Sequence, residues 1–366
     1  MEKILAILIF ACGLLSGLTM LLGCSINTPI SEEGAERIAQ SPHQHEGRFF
    51  NLEPKADYKF DMNVLIDTLF KASQRSPKGE IPFVKISPDH WEKRASQTLH
   101  VAWLGHSSNL IEMDHKRILI DPVLSKRASP FSFAGPKRLH PSPIDLASIS
   151  NVDGVIISHS HYDHLDEATI RHLAKGDCRF FIPLGLKDQL LAWDVKDESI
   201  VELDWWQKAQ LGEIDIVMTP ARHYSNRGLS DAARTLWASW SIMGSQKIFF
   251  SGDTGYSKEF AKIGERLGPF DLSLIKVGAY GPGQSWHDIH MTPEEAVQVH
   301  QDIKGKVMLP VHWATFDLAL HTWGEPIKRT VKASDAAGIN LVTPKIGALI
   351  NPDQSEKSDQ WWQHLN

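Results

Sequence analysis

Residues 158–166 read Ser-His-Ser-His-Tyr-Asp-His-Leu-Asp, which places three histidines and two carboxylates within nine residues. The apolar run 154–157 directly before this stretch is typical of a buried strand. In an extended segment, residues two apart point to the same side, so His159 and His161 can bind one cation together. Asp163 and His164 lie beyond a turn and can face a second cation. Zinc prefers imidazole and carboxylate ligands, so the stretch predicts a metal site at a strand end. A merely solvated polar loop would leave this clustering unexplained.

Four further candidates stand near the ends of apolar runs or in a glycine-rich loop. They are His223 after 216–220, Asp253 after 248–252, His312 after 307–311, and His290 in the loop that contains Gly281 and Gly283. Each residue alone would more often be a core or loop residue. Together with the first stretch, they predict one zinc site made by His159, His161 and His223. A second site is predicted from Asp163, His164 and His312, with Asp253 bridging the two.

The remaining pattern predicts an α/β fold. Three short apolar runs with polar turns between them are typical of consecutive antiparallel strands. Strands are predicted at 99–104, 109–113, 117–120, 154–158, 180–183, 199–202, 214–219, 236–242, 247–251, 272–277, 306–310 and 345–350. Helices are predicted at 167–174, 257–267, 293–302 and 325–336, the third because Thr292, Pro293 and two glutamates form a strong helix start.

Composition describes an ordinary globular protein with a small excess of acidic residues. The 366 residues carry a formal charge of −6, with 42% apolar and 22% charged residues. This balance argues against a nucleic-acid partner, which usually selects a basic surface.

The amino terminus has the pattern of a targeting signal. An apolar run follows Lys3 and closes with Leu21-Leu22-Gly23-Cys24, which resembles the lipobox of bacterial lipoproteins. We therefore expect residues 1–23 to be a signal peptide and Cys24 to carry the lipid. A retained transmembrane helix is the alternative, because the run is long enough to span a bilayer. Both the lipid anchor and the transmembrane helix would place the protein on a membrane of the bacterial envelope, facing the periplasm or the exterior.

Residues 24–98 are predicted to be a tether and lead-in segment, and residues 99–366 the main domain. Ser, Pro and Glu up to residue 46 indicate a flexible tether. A helix is predicted at 61–70, where apolar residues recur at helical spacing.

Over roughly residues 99–350 the chain resembles the N-acyl phosphatidylethanolamine-hydrolysing phospholipase D family, within the metallo-β-lactamase fold. The resemblance lies in the His-x-His-x-Asp-His motif and in a series of short runs: Trp103–His106, Ile120–Pro122, Arg127–Pro130, Gly135–Arg138, Pro183–Leu186, Glu202–Trp206, Ser239–Ser241, Phe249–Tyr256, Gly268–Asp271, Gly278–Tyr280, Pro293–Ala296 and His312–Trp313. It implies a four-layer αββα sandwich, two zinc ions and the same seven ligands. It also implies that His290 touches the substrate phosphate and that Asp121 orients the metal-site loop. Members of the family are often homodimers.

The resemblance implies hydrolysis of a phospholipid to phosphatidic acid and N-acylethanolamine. Two divalent ions would lower the pKa of a shared water toward 7 and supply hydroxide at neutral pH. The groups expected to take part are Asp163, His164, Asp253 and His290, and Asp166 and His164 are candidates for proton transfer. A lactonase or β-lactamase-like hydrolase on the same site is the alternative enzyme, and a non-catalytic envelope lipoprotein is the alternative from another class.

Overall fold

The computed structural model describes residues 28–54, 74–281, 284–354 and 360–365. The predicted signal peptide, Cys24 and the helix predicted at 61–70 lie outside these residues. Among the helices that are described, none is both long and apolar enough to cross a membrane.

The segment before the main domain contains helix α1 (Glu32–Ala39), strands β1 (Gln44–His45) and β2 (Arg48–Phe49), and helix α2 (Asp89–Glu92). This differs from the predicted tether. Ser31 caps α1 by accepting from the Gly34 N–H, Ile38 is buried, and Arg37 Nε bonds to Glu202 at 2.7 Å. A cap, a buried side chain and a partly buried ion pair together hold residues that composition alone assigns to a flexible segment.

Among the described residues, the main domain contains two seven-stranded mixed sheets. In chain order its elements are β3 (His100–Gly105), β4 (Ser108–Met113), β5 (Lys116–Ile120), β6 (Gly154–Ile156), α3 (Glu167–Leu173), β7 (Arg179–Pro183), α4 (Lys187–Leu191), β8 (Ile200–Leu203), β9 (Lys208–Leu211), β10 (Ile214–Thr219), β11 (Ser239–Met243), β12 (Lys247–Phe250), α5 (Glu259–Arg266), β13 (Phe270–Lys276), α6 (Gln284–His287), α7 (Pro293–Asp302), β14 (Gly305–Val311), α8 (Glu325–Ala337), β15 (Asn340–Leu341) and β16 (Leu349–Ile350). Short 3₁₀ turns lie at Leu146–Ser148, Asp197–Ser199, Pro352–Gln354 and Trp361–Leu365.

The first sheet has the order β16-β3-β4-β5-β6-β7-β8, and the second has the order β15-β14-β13-β12-β11-β10-β9. As predicted, β3, β4 and β5 are consecutive antiparallel strands. The pairs from β5 to β8 and from β12 to β15 are parallel. Parallel neighbours end at the same edge of a sheet, so residues that follow these strands are brought together.

The core lies between the sheets and extends under the helices. Trp103 of the first sheet and Trp240 and Phe249 of the second belong to one buried cluster. Phe260 of α5 extends this cluster beneath the second sheet, and Ile170 of α3 packs on the opposite face of the first sheet. Fully burying each such side chain contributes roughly 1.5–3 kcal/mol. The layers are therefore helix, sheet, sheet and helix, which confirms the predicted αββα sandwich.

Most predicted elements are observed within a few residues of their predicted bounds. Helix α7 has the predicted bounds, because Thr292 and Glu295 form a complete capping box at its start. Strand β9 was not predicted, since its short Lys-Ala-Gln-Leu sequence on a sheet edge carries little apolar alternation.

Candidate metal centre

The site lies where strands of both sheets end. His159 follows β6, His223 follows β10, and Asp253 follows β12. His312 follows β14 directly, and Lys276 is the last residue of β13. The structure thus brings residues that are up to 153 positions apart to one edge of the sandwich.

The first group consists of His159, His161 and His223, whose nearest ring nitrogens lie within 4.8 Å of one another. Nδ1 of His161 is 2.8 Å from Nε2 of His159 and 3.3 Å from Nε2 of His223. The outer ring nitrogens are held by neighbouring oxygens: Ser158 Oγ for His159, Asn226 Oδ1 for His161 and the Ile289 carbonyl for His223. An outer hydrogen bond orients each ring and leaves the inner nitrogen to face a common point.

The second group consists of Asp163, His164 and His312, together with His106. Oδ2 of Asp163 lies 3.4 Å from Nε2 of His164 and 3.5 Å from Nε2 of His312. Nε2 of His106 is closer, at 2.8 Å from the same oxygen. This distance is that of a hydrogen bond, so His106 acts first as a support for the carboxylate.

Asp253 lies between the two groups. Its Oδ2 is 3.4 Å from Nε2 of His164 and 3.8 Å from Nε2 of His223, and its Oδ1 is 3.0 Å from Nε2 of His312. One carboxylate that reaches members of both groups has the position that a bridging ligand requires.

The residues present fit a cation. Within the described part of the chain, Nε2 of His164, Nε2 of His312 and Oδ1 of Asp253 are buried and make no hydrogen bond of normal geometry. Buried polar atoms without a partner are rare in folded proteins, and inward-facing imidazole nitrogens and carboxylate oxygens are metal ligands.

The pKa shifts of Asp253 and His164 also favour a bound cation. Burial would raise the pKa of Asp253, but His312 and His164 outweigh it and hold that pKa well below 3.8. Burial would lower the pKa of His164, but Asp253, Asp163 and Asp121 raise it well above 6.5. The centre of the site therefore attracts positive charge.

Asp121 is fully buried and holds the metal-site loop, residues 158–166, by hydrogen bonds. Its Oδ1 accepts from the Ser158 N–H at 2.7 Å, and its Oδ2 accepts from Ser158 Oγ at 2.5 Å. Oδ2 also accepts from Nδ1 of His164 at 2.6 Å, which leaves Nε2 of His164 directed at the carboxylates. This contact gives Asp121 the geometry of the orienting residue that the family resemblance implies.

Asp166, a predicted candidate for proton transfer, faces another direction. Its carboxylate accepts from Ser125 Oγ at 2.8 Å and from Thr169 Oγ1 at 2.6 Å, and from the backbone N–H of Leu124 and Ser125. It ties the metal-site loop to the chain after β5.

His290 lies over both groups. Its ring centroid is 5.2 Å from that of His223 and 5.9 Å from that of His312, and its Nδ1 is 3.9 Å from Oδ2 of Asp253. The same nitrogen, Nδ1, contacts Nζ of Lys276 at 2.5 Å.

The sequence interpretation missed His106, Lys276 and Asn51 as site residues. His106 stands where an apolar run stops at a glycine, the same signal that identified other candidates. Asn51 has no such signal, yet its side chain donates to the His223 carbonyl at 2.8 Å and accepts from the His223 N–H at 3.0 Å. It also accepts from Trp237 Nε1 at 3.0 Å. The lead-in segment therefore holds one side of the site.

Comparison with known proteins defines the class first. The family model described as a beta-lactamase superfamily domain matches residues 116–313. Among solved structures, one described as "a possible metal-dependent hydrolase from Veillonella parvula" aligns with a TM-score of 0.56 at 18% identity, covering 70% of this chain and 100% of that one. The chain belongs to the metallo-β-lactamase superfamily, and it is a metal-dependent hydrolase of that superfamily.

Relatives define the family within that class. A protein of Mycobacterium tuberculosis described as uncharacterised is 43% identical over 333 residues, which is 88% of each chain. The N-acyl-phosphatidylethanolamine-hydrolysing phospholipase D 1 of Caenorhabditis elegans is 36% identical over 249 residues, covering 65% of this chain and 69% of that protein. The chain therefore belongs to the family of this phospholipase D.

Proposed function

We propose that the protein is a zinc-dependent phospholipase D that hydrolyses N-acyl phosphatidylethanolamine-like lipids to phosphatidic acid and N-acylethanolamine. The observation that carries the proposal is the convergence of six inward-facing ligands on two neighbouring points with Asp253 between them. Family membership supports the substrate class, because a relative with this name is 36% identical over 249 residues.

Two zinc ions fit this donor set. His159, His161 and His223 would hold one ion, Asp163, His164 and His312 the other, and Asp253 would reach both. When bound, the ions supply Lewis-acid stabilisation of a phosphodiester and lower the pKa of water toward 7.

The protein's own residues supply orientation and binding. Asp121 keeps the Nε2 lone pair of His164 directed inward, and His106 holds Asp163. His290 lies where it can donate a hydrogen bond to a phosphate oxygen that approaches both groups. In the reaction, the oxygen of water joins phosphorus, the bond from phosphorus to the head-group oxygen breaks, and the head-group alcohol leaves with a proton.

Exposed apolar side chains near the metal centre support a lipid substrate. Phe50 and Leu52 are 44% and 43% exposed, and they flank Asn51, whose side chain bonds to the backbone of His223. Tyr224 packs against His161 and is also exposed. Exposed apolar side chains beside a polar site favour contact with a lipid surface.

The test uses the full chain purified in detergent micelles and loaded with zinc. The expected result is release of N-acylethanolamine from N-acyl phosphatidylethanolamine, with loss of activity in Asp253→Ala. Asp215→Ala is the matched control. Asp215 lies on β10 and forms a surface ion pair with Lys208 of β9, so its loss should leave activity unchanged. Turnover of only a lactone or a β-lactam would contradict the proposed substrate, and protein that retains no zinc would favour a non-catalytic lipoprotein.

We also propose that Cys24 carries a lipid and anchors the protein to a membrane of the bacterial cell envelope. The support is the lipobox-like run 21–24 and the exposed apolar side chains described above. Expression with an alkyne-tagged fatty acid should label the wild-type protein and not Cys24→Ser, which should also leave the membrane fraction. Equal labelling of both proteins would contradict the anchor.

A further inference from the structure

A cavity of about 840 Å³ lies beside the metal-site loop. Its walls come from the segment 125–132 after β5, the first turns of α3, the end of α4 and Arg227. Tyr162 and Leu165 of the metal-site loop also line it, whereas none of the seven predicted metal ligands is among the described residues of its wall. The cavity is therefore separate from the metal centre, although both share one loop.

Arg227 is buried in this wall, with an exposed fraction of 9%. Its Nη1 donates to the carbonyl oxygens of Ser160 at 2.7 Å and of Leu165 at 2.8 Å. Its Nε is buried and makes no hydrogen bond within the described part of the chain, and none of the described carboxylates forms an ion pair with the guanidinium. Buried charges are normally paired, so Arg227 has the capacity to bind an anion.

Two aromatic rings contact the guanidinium of Arg227. Its Cζ lies 4.0 Å from the ring centroid of Tyr162 and 5.1 Å from that of Trp193. Cation–π contacts attract a guanidinium electrostatically, but they do not remove its charge. Arg227 is thus held in place by two rings and two backbone carbonyls with its positive charge still available to a ligand.

Two further cations line the cavity, Lys126 and Arg127, and neither forms an ion pair with a described carboxylate. The carboxylates of the wall are already engaged. Asp166 accepts hydrogen bonds from two hydroxyl groups, and Glu167 pairs with Arg171 at 2.8 Å. The cavity therefore presents three cations whose charge no neighbouring carboxylate balances, which is the electrostatic character of an anion site.

Exposed apolar side chains lie beside this cavity. Phe131 lines it, and the ring centroid of Phe133 is 5.5 Å from that of Phe131. Leu229 lies two residues after Arg227, in a turn where Asp231 accepts from the Arg227 N–H. Phe133 and Leu229 are 78% and 76% exposed, the two highest values among the large apolar side chains that the structure describes. Cations next to exposed apolar side chains are complementary to a phosphate that carries acyl chains.

We propose that this cavity binds the phosphate head group of an anionic glycerophospholipid. Lys126, Arg127 and Arg227 would donate to the phosphate oxygens, and Phe131 and Phe133 would contact the lipid chains. This binding site is distinct from the metal centre, and it does not depend on hydrolysis of any phosphodiester.

Two simpler explanations of the same residues have different consequences. If Arg227 only holds the carbonyl groups of the metal-site loop, the removal of Lys126 should have no effect on lipid binding. If the lipid responds only to diffuse surface charge, any exposed lysine nearby should matter as much as Lys126. Lys137 provides this comparison, because it is exposed on the chain segment that follows the cavity wall and is not among the residues that line the cavity.

The experiment uses the full-length, zinc-loaded chain in detergent micelles, titrated with phosphatidylglycerol or phosphatidylcholine. Native mass spectrometry counts the lipid molecules retained per chain. The variants are Lys126→Met, Arg227→Gln and Phe133→Ser, with Lys137→Met as the matched control. Asp253→Ala tests whether the lipid binds at the metal centre instead, and glycerol 3-phosphate serves as a soluble competitor. Zinc content is measured for every variant.

The wild-type protein should retain one phosphatidylglycerol in preference to phosphatidylcholine. Lys126→Met should weaken this binding roughly tenfold, the effect of losing one hydrogen bond between charged groups, and should keep its zinc. Arg227→Gln should weaken it at least as much, and Phe133→Ser should weaken it to a smaller extent. Binding should be unchanged in Lys137→Met and in Asp253→Ala. Glycerol 3-phosphate should displace the lipid only in large excess.

Equal retention of the two lipids, or unchanged binding in Lys126→Met, would overturn the proposal. The same loss in Lys137→Met would show diffuse attraction, and loss in Asp253→Ala would place the lipid at the metal centre. Displacement by an equal amount of glycerol 3-phosphate would identify a site for soluble phosphates instead of lipids. If Arg227→Gln does not fold, Lys126→Met still decides the result. A failure to cleave phosphodiesters would contradict the proposed function and leave these binding measurements intact.

Discussion

Replacing Asp121 with asparagine changes one atom in the support of the metal centre and tests how that centre is oriented. In the wild-type protein, Oδ2 of Asp121 accepts from Nδ1 of His164 at 2.6 Å. An asparagine can keep its oxygen toward the Ser158 N–H, and its NH₂ group then faces Nδ1 of His164. Two donors would meet, so His164 would have to move its hydrogen from Nδ1 to Nε2. Nε2 would then have no lone pair for a metal.

The magnitude follows from this tautomer change. Loss of an orienting partner behind a ligand typically costs ~10–100-fold in metal affinity, which is about 1.4–2.7 kcal/mol. We expect Asp121→Asn to weaken zinc binding by this factor and to lower phospholipid hydrolysis at least as much. Zinc affinity is measured by competition with a coloured chelator, and zinc per chain by atomic emission.

Asp166→Asn is the control for the Asp121 variant. Asp166 is a carboxylate on the same loop that bonds to Ser125 and Thr169 and to no histidine in the described hydrogen bonds. It should lose some stability and keep its zinc affinity. If Asp121→Asn binds zinc as tightly as the wild-type protein, the inferred orientation of His164 is wrong.

Four other outcomes are expected. Asn51→Ala should lower the free energy of unfolding by about 1–3 kcal/mol and weaken zinc binding, because three hydrogen bonds around His223 are lost; unchanged chelator competition would argue against this support. Thr292→Ala should cost about 1 kcal/mol in thermal unfolding, from loss of the α7 cap, and leave turnover unchanged. Burial would raise the pKa of Glu112, but hydrogen bonds from His90 and Arg117 lower it from 4.5 to about 2. The depressed value stabilises the fold above pH 4.5, and this stabilisation is lost as the pH falls toward 2, so Glu112→Gln should show a shallower acid dependence in unfolding titrations. Chelation of zinc should lower both activity and Tm, since ligands that bind the native state stabilise it, and added zinc should restore both.

Local sequence patterns were sufficient to predict those features of the structure that depend only on residues adjacent in the chain. The alternation of apolar runs and turns predicts most strands, and Thr292 to Glu295 predict the start of α7 because a capping box needs only four residues. The cluster at 158–166 predicts a metal site because its ligands are adjacent in the chain.

Contacts between residues far apart in the chain produced the features that local sequence patterns did not predict. The helix Glu32–Ala39 lies in a segment whose composition indicates a tether, and its contact with Glu202 of β8 has no local signal. Lys276 at the end of an apolar strand is an ordinary solvent-facing terminus by local criteria. It becomes a site residue because two parallel neighbours and His290 cover it.

The sequence by itself determined the class of this protein: strand-end histidines and aspartates at metal-ligand spacing, the alternation of strands and helices, and a resemblance spread along most of the main domain. These features depend on residue type and spacing, which are local. Only the tertiary structure decided which nitrogen of each histidine faces inward, that Asp253 reaches both groups, and that Asn51 and His106 support them. Those facts depend on hydrogen bonds between residues far apart in the chain, and such bonds exist only once the two sheets have packed together.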